Sequence, residues 1–323
     1  MLTPWLFLFF AIAASRSHYA KCPPDAVQNG LSHVQCDREP PCVRWSWLNP
    51  DKCKSMALDR SWPTYDPYIE RRRDWHSMRD FLLHHAVGKN VILVGDSITS
   101  LFYNGFLCEA ARSQLTLTVW GEGANPRLSN YSKNLFHGEG HTTFHVRETD
   151  TIISRRGWAF YIPHEFEKYL AVADIVLVNF GLHYQNTEVY RRDMSAMFAR
   201  LEAFNKQPGK LAVFRETPSQ SFVGTGAYAG ATAKCAPLGD DVVFTNTVYR
   251  QNEAASALGA HHGVPTLHFY NLTVPRWNLR EETFCAENGK RPGCNDCTHL
   301  CASPTLYAKL VDDLYYITTQ AKG

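Results

Sequence analysis

Seven residues constrain this chain more than any others: Val91-Ile92-Leu93-Val94-Gly95-Asp96-Ser97. Four apolar residues in a row, mostly β-branched, leave no polar face. Such a run fits a strand covered on both sides, as in a parallel sheet. Gly95 allows the chain to turn sharply at the strand's carboxyl end. In open α/β sheets, sites gather at that end. From Ser97 onward, Ile98, Leu101, Phe102, Phe106, Leu107 and Ala110 recur at helical spacing. Ser97 therefore stands between a strand and a helix N-terminus, whose amide groups favour negative charge. Two readings of Ser97 follow. It is a helix cap, or it is an acyl-transfer nucleophile whose own backbone N–H helps to hold the oxyanion. Gly-Asp-Ser alone does not decide between them.

The rest of the chain repeats the strand-then-helix pattern. Strands are predicted at Leu115–Trp120, Thr142–Val146, Trp158–Ile162, Ile175–Val178, Lys210–Arg215 and Thr266–Tyr270. Helices are predicted over Tyr68–His85, from Ser97 through Ala111, up to Ala173, over Thr187–Asn205, over Val242–His262 and from Leu306 to Ile317. Glu216–Gly239, with Gly, Pro and one Cys, reads as a long ordered loop, a feature often tied to function. Alternation of this kind implies an α/β fold with a mostly parallel, doubly wound sheet. The 323 residues fit one large α/β domain or two small ones.

Leu2 to Ala14 is apolar apart from Thr3 and is followed by Ser15-Arg16-Ser17-His18. This stretch is too short to span a bilayer comfortably and fits the core of a signal peptide. Residues 1–20 are therefore expected to be a signal peptide or short anchor, and any membrane contact would run through that segment. Ten cysteines after such a leader point to an oxidising compartment and disulfides. Asn130-Tyr131-Ser132 and Asn271-Leu272-Thr273 are glycosylation sequons, in keeping with the secretory route. Residues 21–65, rich in Cys, Pro and Trp, read as a disulfide-stapled, loop-rich region packed on a main domain over 66–323. A formal net charge of +2 gives no argument for a nucleic-acid partner.

A nucleophilic serine needs a base, and the base needs an orienting group. Histidine alone discriminates nothing, since there are fourteen. Asp296-Cys297-Thr298-His299, just before the final helix, stands out. A turn over this spacing brings acid and imidazole to one side, so Asp296 can orient His299 toward Ser97. A rival reading takes Cys294, Cys297, His299 and Cys301 as zinc ligands. The pairing habit of secreted cysteines weighs against it. Asn179 follows a buried strand, as Ser97 does, and its amide could donate to an oxyanion. The loop from Gly121 to Asn125 follows a third strand, and Gly121 or Gly123 could add a backbone N–H.

Gly95-Asp96-Ser97 together with Asp296-x-x-His299 resembles the SGNH, or GDSL-type, hydrolase superfamily. More narrowly, the chain resembles the PC-esterase branch, which includes the trichome-birefringence-like polysaccharide O-acetyltransferases. Trp45-x-Trp47 with Pro50 and Cys53, Cys108 after the nucleophile helix, Asn179-x-Gly181, Arg215-x-Thr217 with Phe222 and Cys235, and Asp296-Cys297-x-His299-x-Cys301 carry the likeness in order. Ser100, Ser221 and Leu300 depart from the branch, which has Arg, His and Trp there. The departures bear on the acceptor and the donor chemistry, and they leave Ser97, Asp296 and His299 untouched.

The resemblance implies an SGNH-like three-layer sandwich with a mostly parallel sheet. It implies an O-acetyltransferase of the Golgi lumen or extracellular space, acting on glycan or polysaccharide hydroxyls. Ser97, Asp296 and His299 would be catalytic. Ser97, Gly121, Gly123 and Asn179 would supply the oxyanion hole. No metal or bound cofactor is expected; a small acetyl donor would be co-substrate. An O-acetyl esterase with the same triad is the alternative. A non-catalytic secreted glycan-binding protein is a third reading, and the intact triad argues against it.

Overall fold

A computed structural model describes residues 75–120, 141–228, 235–277, 280, 296–300 and 304–321. The leader, the Cys/Trp-rich region and the boundary expected near residue 65 lie outside the described residues. No helix among the described residues is long and apolar enough to cross a membrane.

The first strand, β1 (Asn90–Gly95), is the centre of the fold. Val91, Ile92, Leu93 and Val94 are each at most 1% exposed, as an unbroken apolar run requires. Burying each such side chain contributes roughly 1.5–3 kcal/mol. β1 pairs in parallel with β4 (Thr151–Gly157) on one side and β5 (Ile175–Asn179) on the other. β6 (Leu211–Arg215) and the two-residue β7 (Thr266–Leu267) continue the parallel half. β2 (Leu117–Trp120) and β3 (His141–Val146) form the far edge, with β3 antiparallel to both neighbours. The described strands make one sheet in the order β2-β3-β4-β1-β5-β6-β7.

Alternation along β1 divides the core in two. Val91 and Leu93 face a layer built from α1 (Met78–His85), α2 (Ser97–Arg112) and α8 (Pro304–Gln320). Ile92 and Val94 face the opposite layer, of α3 (Pro163–Leu170), α4 (Thr187–Asn205) and α6 (Thr247–His262). The architecture is thus α/β/α in three layers. Two short helices, α5 (Asp240–Val243) and α7 (Tyr270–Thr273), lie in the connections.

Local chemistry sets the helix starts. Ser77 and Asp80 form a reciprocal capping box at α1. Asp96 caps α2, its carboxylate accepting the Ile98 N–H at 3.0 Å. Asn186 caps α4, Asn246 caps α6, and Pro163 opens α3.

The structure corrects several expected boundaries. The strand expected at Trp158–Ile162 is absent, and β4 lies before it. The backbone of 158–161 is committed elsewhere: Trp158 N–H donates to Gly95 O at 2.6 Å, and Tyr161 N–H to the Tyr184 hydroxyl at 3.0 Å. The helix expected over Val242–His262 is two helices, because Asn246 starts a second one by accepting the Tyr249 N–H. The strand expected to run to Tyr270 stops at Leu267, where Glu216 takes the Phe269 and Tyr270 N–H groups. Between β6 and α5 the described part of Glu216–Gly239 carries no helix or strand, only a bridge between Phe222 and Cys235.

Candidate active site

Ser97 is the first residue of α2 and is exposed at the carboxyl end of β1. The turn that puts it there needs Gly95. Its φ is +155°, and an added Cβ would stand 2.1 Å from Asn179 O and 2.5 Å from Thr99 Oγ1. Being first in the helix, Ser97 has a backbone N–H with no intrahelical acceptor.

His299 comes to this point from 202 positions away, with its Nε2 2.8 Å from Ser97 Oγ. Its Nδ1 is 2.6 Å from Asp296 Oδ2. Asp296 Oδ1 also accepts the backbone N–H groups of Thr298, at 3.0 Å, and His299, at 2.9 Å. An ionised carboxylate only accepts, so Nδ1 carries the proton and Nε2 of the neutral ring accepts from the serine hydroxyl. Burial pushes Asp296 up, but the bond and charge of His299 and the two N–H donors outweigh it. Its carboxyl sits below the ordinary aspartate value of 3.8. The three residues singled out from sequence are therefore brought into one hydrogen-bonded chain.

Asp96 does not join that chain. It is 1% exposed and serves as the cap of α2. Burial pushes its carboxyl above 3.8, against the pull of Arg215 and His183. Arg215, itself buried, lies over the Phe102 ring at 4.6 Å, and burial lowers it to about 10.

Asn179 ends β5 beside Gly95 in the β1–β5 register, and its amide is already committed. Nδ2 donates to Arg215 O and to Thr217 Oγ1, both at 2.9 Å, and the residue is 1% exposed. An amide has two hydrogens, and both are used. Through these bonds Asn179 joins β5 to the chain after β6. Gly121 and Gly123 lie outside the described residues.

Cys297 is bonded to Cys235, which removes it from the zinc set and staples the Asp296–His299 turn to the loop after β6. Cys294 and Cys301 lie outside the described residues. Among the described residues, no group of three or more His, Cys, Asp or Glu is placed to hold a metal ion. Cys108, on α2, is also disulfide-bonded.

Sequence reasoning missed what braces the turn. Gln220 Nε2 donates to Thr298 Oγ1 at 2.8 Å, Ser221 N–H to Cys297 O at 2.9 Å, and Arg280 Nη1 to Thr298 O at 2.9 Å. Glutamine and arginine in loops carry no periodic or motif signal that could have marked Gln220 and Arg280, and Ser221 was marked only as a departure from the branch.

No protein-family model matches the chain, and no curated protein matches it. Among solved structures, a protein described as a GDSL-like lipase from Parabacteroides merdae aligns over 73% of this chain and 97% of its own, at 14% identity and a TM-score of 0.41. A phosphatase-domain-containing N-terminal part of a Bacteroides fragilis protein, solved with Mg, aligns over 74% of this chain and 55% of its own, at 8% identity and a TM-score of 0.34. Both scores lie below 0.5, so neither alignment carries an assignment.

Proposed function

We propose that the protein is an acyl-transfer enzyme of SGNH type, an O-acetyltransferase acting on glycan or polysaccharide hydroxyls. The observation that carries the acyl-transfer chemistry is the unbroken Ser97–His299–Asp296 hydrogen-bond chain, with both distances within proton-transfer reach. Acetyl as the group and a glycan as the acceptor rest on the motifs shared with the PC-esterase branch.

Ser97 Oγ attacks the donor's acyl carbon while His299 Nε2 takes its proton. Asp296 stays ionised and stabilises the imidazolium. The Ser97 N–H, at the positive end of α2, holds the tetrahedral oxyanion. Collapse releases the donor's leaving group, which receives the proton from His299. A sugar hydroxyl then gives its proton to His299 and attacks the acetyl-enzyme; collapse frees the O-acetyl sugar, and His299 returns the proton to Ser97 Oγ. The leader, the disulfides and the two sequons support a secretory location, in the Golgi lumen or outside the cell.

A second reading, an O-acetyl esterase, is favoured by one observation. Ser97 is exposed, and an open acyl-enzyme is within reach of water. The two are separated by giving the purified protein an activated acetyl ester with and without oligosaccharide. Acetylated oligosaccharide marks the transferase, and free acetate alone marks the esterase. Ser97→Ala is expected to lower either activity by at least about 10³-fold and to abolish an acetylated-serine mass on rapid quench. A folded Ser97→Ala protein with wild-type turnover would sink both readings.

A further inference from the structure

The turn that carries acid and base is short, sits in irregular chain, and has no helix or strand of its own. Something outside it must fix His299 to within a fraction of an ångström. Arg280 does this from two directions. Its backbone pairs with Leu300, immediately after His299. Its guanidinium, on a residue 2% exposed, donates to Thr298 O at 2.9 Å, inside the turn between Asp296 and His299. The same group reaches Ser221 Oγ at 3.2 Å, Ser219 Oγ at 3.0 Å and Thr273 O at 3.3 Å. Ser219 is in turn held by Thr273 at the end of α7.

We propose that Arg280 is the positioning residue of the acid–base pair, its buried fork tying the Asp296–His299 turn to the 219–221 segment and α7. The proposal rests on the acyl-transfer reading of Ser97 and His299. A planar five-donor cation suits the task, since it can engage four acceptors in fixed directions. Burial lowers its pKa to about 9, against the opposing charge of Asp296 and with the like charge of Arg276. The cation thus meets the charge of Asp296, which faces His299 in turn. Gln220 and the disulfide hold the same turn, and Arg280 adds a charge together with bonds to three neighbouring segments.

The test uses the full chain as Arg280→Met, Arg280→Lys, Ser221→Ala and Ser97→Ala. Ser221→Ala removes one acceptor of the fork and leaves the Ser221 N–H bond to Cys297. Two readouts are taken: kcat and KM on an activated acetyl ester, and the downfield imidazole N–H proton of His299 by NMR, which needs no turnover. Arg280→Met is expected to lower kcat on the order of 100-fold with KM nearly unchanged, and to lose the downfield proton. Arg280→Lys should restore part of both, and Ser221→Ala should show a smaller loss of the same kind. If Arg280→Met does not fold, Arg280→Lys and Ser221→Ala decide. A folded Arg280→Met protein with wild-type kcat and an unchanged proton signal would overturn the proposal, as would wild-type values in both folded Arg280→Lys and Ser221→Ala where Arg280→Met does not fold. If Ser97→Ala keeps full turnover, the acyl-transfer reading fails instead, and the proton signal alone decides the role of Arg280.

Discussion

The Asp296 carboxylate divides its acceptors among three donors: Oδ2 takes His299 Nδ1–H, and Oδ1 takes the N–H groups of Thr298 and His299. These bonds favour the ionised form and hold its pKa below 3.8 despite burial. A carboxyl with a lower pKa in the folded state stabilises the fold above its unfolded value, and that stability is lost as pH falls through the folded value. The wild-type melting temperature should therefore drop on acidification below about pH 4, and Asp296→Asn should show a shallower drop. Melting curves of the two proteins across that range check it; identical acid limbs would contradict the role given to Asp296. At neutral pH the same variant should lose activity on the order of 10⁴-fold, because an amide favours the wrong imidazole tautomer. Ser97, Asp296 and His299 were legible in the sequence because each carries a local signal, a strand–turn–helix or an Asp-x-x-His turn. Asn179 was legible as a position, and the acceptors of its amide were not. Its location follows from β5, but which acceptor a buried amide chooses depends on Arg215 and Thr217, which only the folded register brings near.

Among the helices, α2 meets α8 across a glycine. Gly105 faces Tyr307, and a Cβ there would lie 2.1 Å from the ring. Alanine is the better helix former by about 1 kcal/mol. The Tyr307 ring is fully buried and cannot swing aside without displacing its neighbours. Overpacking of this kind costs about 1–3 kcal/mol, so the clash should win. Gly105→Ala is expected to lower the urea midpoint with an unchanged slope; a raised midpoint would show that α8 shifts freely. Elements of one dominant period were legible: β1 and β5 as unbroken apolar runs, and α4 with its predicted limits Thr187–Asn205. β4 was not. Its second half is Ser154-Arg155-Arg156-Gly157, which reads as surface chain. The structure accepts those arginines in a strand because aromatic rings face them, Tyr103 at 5.9 Å from Arg155 and Trp158 at 5.5 Å from Arg156. Tyr103 comes from α2 and leaves no mark on the local pattern, while Trp158, two residues after Arg156, reads locally as the start of a separate strand.

Across the whole molecule, the site depends on joining pieces that the sheet alone does not hold. Ser97 is fixed by β1 and α2, at the centre of the sheet. His299 is fixed by a turn that Cys235–Cys297, spanning 62 residues, ties covalently to the loop after β6. Closing a loop of that length restricts the unfolded chain by about 4 kcal/mol in the entropic picture. The bond also fixes the residue between Asp296 and Thr298, so its loss should act on chemistry as well as stability. Cys235→Ser/Cys297→Ser is expected to lower stability by about 2–4 kcal/mol. It should also lower kcat more than KM, because the imidazole then samples positions away from Ser97 Oγ. Urea unfolding and steady-state kinetics on the same preparation check both parts. Stability and kcat need not fall together: a variant that loses stability but keeps wild-type kcat would mean that Arg280, Gln220 and the Ser221 N–H hold the turn without the disulfide.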